Sequence, residues 1–84
     1  MIQSLDRGLR ILFILAEYKS RGVTELAGDL QVNKSTVFRL LETMEMRGLV
    51  QQDEVTAKYR LGMGILQISD GMIKNLDIIG VARP

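Results

Sequence analysis

The chain has no cysteine, no histidine and a single proline in 84 residues. Without cysteine it holds no disulfide, thiol nucleophile or thiolate metal site. Without histidine it lacks the commonest general base and the commonest zinc ligand. The remaining acids and lysines form no pattern with catalytic spacing, so neither enzymatic activity nor a metal or cofactor is expected. Long apolar runs are missing too. The longest, Ile11 to Ala16, has six residues, against the ~20 needed to cross a bilayer. Met1-Ile2-Gln3-Ser4 lacks the charged and apolar regions of a signal peptide. The expectation is a cytoplasmic protein with no membrane partner. An excess of one charge is also lacking: 11 lysines and arginines face 10 aspartates and glutamates, for a net charge of +1. Bulk charge therefore announces no nucleic-acid partner, and any such case must rest on the placement of a few side chains.

What is present is an ordinary globular composition, 46% hydrophobic and 25% charged. A chain this short buries only ~60–65% of the surface its unfolded form exposes, which allows one core. The first segment, Ser4 to about Lys19, reads as a helix with Ser4 as N-cap and Asp6 in the first turn. Leu5, Leu9, Leu12, Phe13 and Ala16 follow helical spacing and are the expected core stripe. Ile11, Ile14 and Leu15 fall outside it, so the helix is apolar on more than one side and should have two neighbours. A second helix is expected from Thr24, as cap, to Leu30, with Leu26, Ala27 and Leu30 facing inward. After the short link Gln31-Val32-Asn33, a third helix starts on Asn33 and runs to about Arg47. Val37, Leu40, Leu41 and Met44 form its stripe, Ser35, Arg39, Glu42 and Met46 its opposite face, and Gly48 its stop. Val50, Tyr59 and Leu61 suggest the half-buried strands of a hairpin around a polar loop. A last helix, from about Met63 to Ala82, carries Ile65, Ile68, Met72 and Ile79 at heptad-like spacing. Its weak point is Ser69-Asp70-Gly71, where a kink or break is expected.

The fold class is thus mainly α with a small β-hairpin: a winged helix-turn-helix over residues 1–62, then a linker helix over 63–84. At this point the residues themselves resemble a known family. Ser4-Leu5-Asp6-Arg7-Gly8-Leu9-Arg10-Ile11-Leu12 is similar to the opening helix of the IclR family of bacterial transcriptional regulators. Thr24-Glu25-Leu26-Ala27 and Lys34-Ser35-Thr36-Val37-Phe38-Arg39-Leu40-Leu41 look like its helix-turn-helix. Gly48-Leu49-Val50 and Lys58-Tyr59-Arg60-Leu61-Gly62 look like its wing, and Asn75-Leu76-Asp77-Ile78 with Ala82-Arg83-Pro84 like its linker. The departures are Gln31 at the turn position usually held by glycine, Asn33 in place of a common proline, and Glu54 and Ala57 where the wing loop often has proline and glycine. The resemblance implies a dimer on operator DNA. It also implies a small-molecule effector that acts only through a further C-terminal domain absent from these 84 residues.

Lys34, Ser35 and Thr36 are candidate phosphate contacts, because a helix N-terminus offers unpaired N–H groups to an anion and hydroxyls add donors. Serine and threonine are also common helix starters, so the cluster alone is not diagnostic. Arg39 is either a base or phosphate contact or an i, i+3 partner of Glu42. Phe38 either touches thymine methyl groups or packs against the wing. Lys58 and Arg60, on the wing, are candidates for phosphate or minor-groove contact. The surplus apolar residues Ile11, Ile14, Leu15, Ile65, Ile68, Met72 and Ile79 are the expected homodimer interface. A two-fold reader calls for a roughly palindromic stretch of double-stranded DNA. The alternative is a winged-helix dimerisation module of a larger enzyme, which would need no cations gathered on one surface.

Overall fold

The computed structural model describes the backbone of residues 1–79 and the side chains of residues 1–76. Its elements run α1 (Gln3–Tyr18), α2 (Val23–Leu30), α3 (Lys34–Met46), β1 (Val50–Gln52), β2 (Tyr59–Leu61) and α4 (Gly64–Ile79). This is the expected mainly helical chain with one antiparallel hairpin, in which Val50 faces Leu61, Gln51 faces Arg60 and Gln52 faces Tyr59. The hairpin has a further neighbour. Arg21 pairs with Tyr59 on the free side of β2, donating to its carbonyl at 3.0 Å and accepting from its N–H at 2.8 Å.

The core gathers Ile11 and Leu15 from α1, Leu26, Ala27 and Leu30 from α2, Val37, Leu41 and Met44 from α3, and Val50 and Tyr59 from the hairpin. Each large member contributes ~1.5–3 kcal/mol by leaving water. The stripes of α2 and α3 are those the sequence predicts; that of α1 is not. Leu5, Leu9 and Phe13 are exposed, Phe13 at 77%, whereas Ile11 and Leu15 are sealed at 0% and 1%. Ile14 is half-buried against the same core. Ile11 and Leu15 therefore belong to the interior and cannot serve as the expected interface, whereas Ile14 is only partly covered. The cause is Gly8. It is buried, and a Cβ there would lie 3.6 Å from the Met44 sulfur. Helix α3 packs closely over this glycine, and residues three and seven positions later follow it inward. Counting apolar residues finds the richest stripe of α1 but not the stripe with the closest neighbour.

Two caps also differ from expectation. Helix α1 starts at Gln3 with Ile2 in the cap position, and no side chain caps it, so Ser4 lies within the helix. Helix α2 is capped by Gly22, not Thr24, and the Glu25 carboxylate accepts from the Gly22 N–H at 2.8 Å. Asn33 caps α3 as its side chain suggests, Oδ1 accepting from the Thr36 N–H at 2.8 Å. Between α2 and α3, Gln31 adopts the left-handed conformation (φ 58°, ψ 46°), where the resembling family has glycine. This left-handed residue lets the chain turn steeply in a few positions.

Helix α4 is continuous through Ser69-Asp70-Gly71, so the expected break does not occur. Its first turn is fixed by backbone against backbone. Gly64 donates to the Gly48 carbonyl at 2.7 Å, and Gly62 donates to the Leu49 carbonyl at 2.8 Å. A Cβ on Gly62 or Gly64 would fall 2.4 Å or 2.7 Å from the Gly48 oxygen. Ile68 and Met72 are exposed and Ile65 is half-buried; Ile79 lies outside the residues whose side chains are described. No helix among the described residues is long and apolar enough to cross a membrane.

Candidate nucleic-acid interface

Helix α3 presents its first turn outward. Lys34 and Ser35 are exposed and Thr36 is half-buried. The N–H groups of the first helical residues have no acceptor within the helix, which makes this end attractive to an anion. The Asn33 cap takes the Thr36 N–H and also the Ser35 hydroxyl, which donates to Oδ1 at 2.8 Å. The proton of Ser35 is therefore turned into the cap, and Lys34 is left as the side-chain donor that faces solvent.

One turn on, Arg39 is exposed and makes no ion pair among the described residues, with Glu42 or any other carboxylate. Arg39 and Thr36 line an open groove between α3 and α1, with Ser4, Arg7 and Thr43 as the other polar residues. Leu5, Gly8, Leu9, Leu12, Leu40, Met44 and Leu49 complete the lining, so the groove has two arginines and no carboxylate. Arg7 was not among the expected contacts. It directly precedes Gly8, the glycine over which α3 packs.

On the other flank of α3, Phe38 and Arg39 border a shallow depression with Glu42, Glu45 and Tyr59 of β2. Phe38 is half exposed there, beside the wing. Burial, with a smaller contribution from Glu45, pushes the Tyr59 hydroxyl above its ordinary pKa of 10.0. Because Tyr59 points into the core, its neighbours Lys58 and Arg60 share the outer face of the strand, as alternation requires.

The wing loop is organised by Asp53. Its Oδ1 accepts from the N–H groups of Val55 at 2.8 Å and Thr56 at 2.9 Å. These bonds, from Thr56 first, hold its carboxyl below the ordinary 3.8, and Arg60 adds a smaller pull. Ala57 takes a positive φ of 65° where the resembling family often has glycine. Arg60 sits 3.5 Å from Asp53, so it is partly engaged within the wing, whereas Lys58 makes no ion pair within 4.0 Å among the described residues. Val55, at 93% exposure, forms the tip. No cluster of three or more potential metal ligands occurs among the described residues.

The comparisons agree with this geometry. Residues 4–54 match the model of the IclR helix-turn-helix domain. The HTH-type transcriptional repressor AllR of Salmonella typhimurium is 32% identical over 98% of this chain and 30% of its own length. The HTH-type transcriptional regulator KdgR of Escherichia coli is 33% identical over 93% of this chain and 30% of its own. Among solved structures, an IclR family transcriptional regulator from Brucella abortus superposes with a TM-score of 0.82 and 34% identity, covering 100% of this chain and 32% of that one. The 84 residues thus span about a third of the length of such relatives. From the opening helix to the wing loop, sequence and architecture coincide with one group of DNA-binding domains, and the chain belongs to the IclR helix-turn-helix family.

Proposed function

We propose that this chain is the operator-reading domain of a bacterial transcriptional regulator and binds double-stranded DNA as a homodimer. In this reading α3 enters the major groove, ~12 Å wide. The observation that carries the reading is Arg39. It is exposed, unpaired among the described residues, and set beside the first turn of α3 and Arg7 along a groove with no lining carboxylate. Lys34 and Thr36 supply phosphate contacts, Phe38 a contact between base and wing, and Lys58 with Arg60 the wing's share. Ser35 contributes once its hydroxyl leaves the Asn33 cap.

The dimer reading keeps α1 and α4 but moves to the other side of α1. Phe13 on α1 and Leu66, Ile68, Met72, Ile73 and Leu76 on α4 are apolar, exposed and outside the lining of the groove that holds Arg39. A second copy would cover them with the same patch of its own. It would also set two recognition helices on a roughly palindromic operator, half-sites one or more ~10-bp turns apart. The linker role of α4, an effector-binding domain elsewhere in the whole protein and a cytoplasmic setting belong to the same proposal.

The test is a titration of labelled duplex DNA across a range of salt. Arg39→Ala should cost ~1–3 kcal/mol on the specific site and relax preference at one base position. Lys58→Ala should weaken binding about equally on all sequences and lower the salt slope by about 1. Unchanged binding in both folded variants would overturn the assignment.

A further inference from the structure

The loop between α1 and α2 carries the most densely bonded side chain of the surface. The Arg21 guanidinium meets Asp29 of α2 through Nη2, 2.9 Å from Oδ1 and 3.0 Å from Oδ2, and through Nε, 3.2 Å from Oδ2. Its Nη1 reaches Glu25 at 3.5 Å, and its Cζ lies 4.4 Å from the centre of the Tyr18 ring. The backbone of the same residue makes both ladder bonds to Tyr59. One residue thus grips the end of α1 and the outer side of α2 with its side chain, and the wing with its main chain.

We propose that Arg21 is a positioning residue for the wing: its grip on Asp29 and Tyr18 fixes where β2, and with it Lys58, stands relative to the recognition helix. The proposal rests on the DNA-binding reading above. Three observations support it. The ion pair is partly exposed, and such pairs add little to stability, so its geometry matters more than its strength. A guanidinium held by two oxygens has a fixed direction, which a lysine at the same place would not have. Finally, Lys58 adjoins Tyr59, and its Cγ would lie 4.0 Å from a Cβ on Gly22, so its stem passes near the residue after Arg21. Glu25 completes the joint by capping α2 through Gly22 while facing Arg21 and Lys58.

The test is a set of double-mutant cycles on DNA affinity, in which Arg21→Gln and Asp29→Asn are each combined with Lys58→Ala and with Arg39→Ala. Either alone should weaken binding about three- to tenfold and lower the salt slope towards that of Lys58→Ala. Adding Lys58→Ala should then cost less than about twofold, because the wing contact is already lost, whereas adding Arg39→Ala should cost its full factor. Without DNA, hydrogen exchange at the Tyr59 amide should quicken relative to Leu26 in both variants. Full multiplication of the Arg21 and Lys58 effects, with Tyr59 exchange unchanged, would overturn the role of Arg21 while leaving the DNA-binding reading intact. Absence of salt-dependent binding in the unaltered chain would overturn both.

Discussion

Helices α1 and α3 cross in the core, and both begin beside the same groove, yet they are built on opposite economies of sequence. Helix α3 has one apolar face, Val37, Leu41 and Met44, and one polar face, Ser35, Arg39 and Glu42. Its inside and outside are told apart by chemistry. Helix α1 has two apolar faces, Gly8, Ile11 and Leu15 on one side and Leu5, Leu9 and Phe13 on the other. Its inside and outside are told apart by size, because the face with the glycine can come closest to a neighbour. The contrast teaches that hydrophobic periodicity locates a helix better than it orients one. Where apolar residues exceed what a single core can take, the smallest of them marks the buried side.

The sharpest way to break this comparison is to truncate one residue on each face of α1. Ile11→Ala should cost ~2–5 kcal/mol in urea unfolding, as a core deletion does. Phe13→Ala should leave the stability of the folded monomer within ~0.5 kcal/mol, as exposed substitutions do, while shifting sedimentation towards the monomer. Similar destabilisation by both variants would mean that α1 has no solvent-facing side. A smaller effect separates the two helix starts. Asn33→Ala should cost ~1 kcal/mol by removing the cap of α3, whereas Ser4→Ala at the uncapped start of α1 should be neutral within ~0.5 kcal/mol in the same assay.

The smallest expected effect comes from the segments that join these helices to the rest. The Glu25 carboxyl is held below its ordinary 4.5, first by the Gly22 N–H and then by Arg21 and Lys58. Asp53 is held below 3.8 by the N–H groups of the wing. A lowered folded-state value means the unfolded chain takes up the proton first. The stability these groups add is therefore present above about pH 4.5 and lost as pH falls through their folded values. Urea midpoints measured from pH 7 downward should fall below that point, and Glu25→Gln with Asp53→Asn should flatten the fall. An equal decline in the double variant would place the acid sensitivity elsewhere.

Much of the fold was legible because local and long-range signals agree. Leu26, Ala27, Leu30, Val37, Leu41 and Met44 face inward as their spacing says, Asn33 caps, and the hairpin pairs around its polar loop. What misled were places where a local preference yields to a neighbour distant in sequence. Thr24 is a good cap by itself, but the Arg21–Tyr59 ladder starts α2 earlier, at Val23 after Gly22. Gly71 is a poor helix residue, but one such position does not outweigh the helix on both sides of it, and α4 runs through. In the candidate site, the exposure of Lys34, Arg39, Lys58 and Arg60 was readable from helix and strand spacing. The surroundings of Arg7 and Arg21 were not, because they depend on what packs beside them, a groove in one case and a second helix with the wing in the other.

The meeting of Gly48, Gly62 and Gly64 has a consequence for how such a surface can change over generations. Helix α4 is aimed by contacts between main-chain atoms, at positions where even a methyl group would collide with the Gly48 carbonyl. Its direction therefore does not depend on the side chains along its length. Exposed residues such as Ile68, Met72 and Ile73 can be exchanged without altering where it points. The direction of the helix and the chemistry of its exposed face are held by separate sets of residues, so a lineage can alter the second while inheriting the first unchanged.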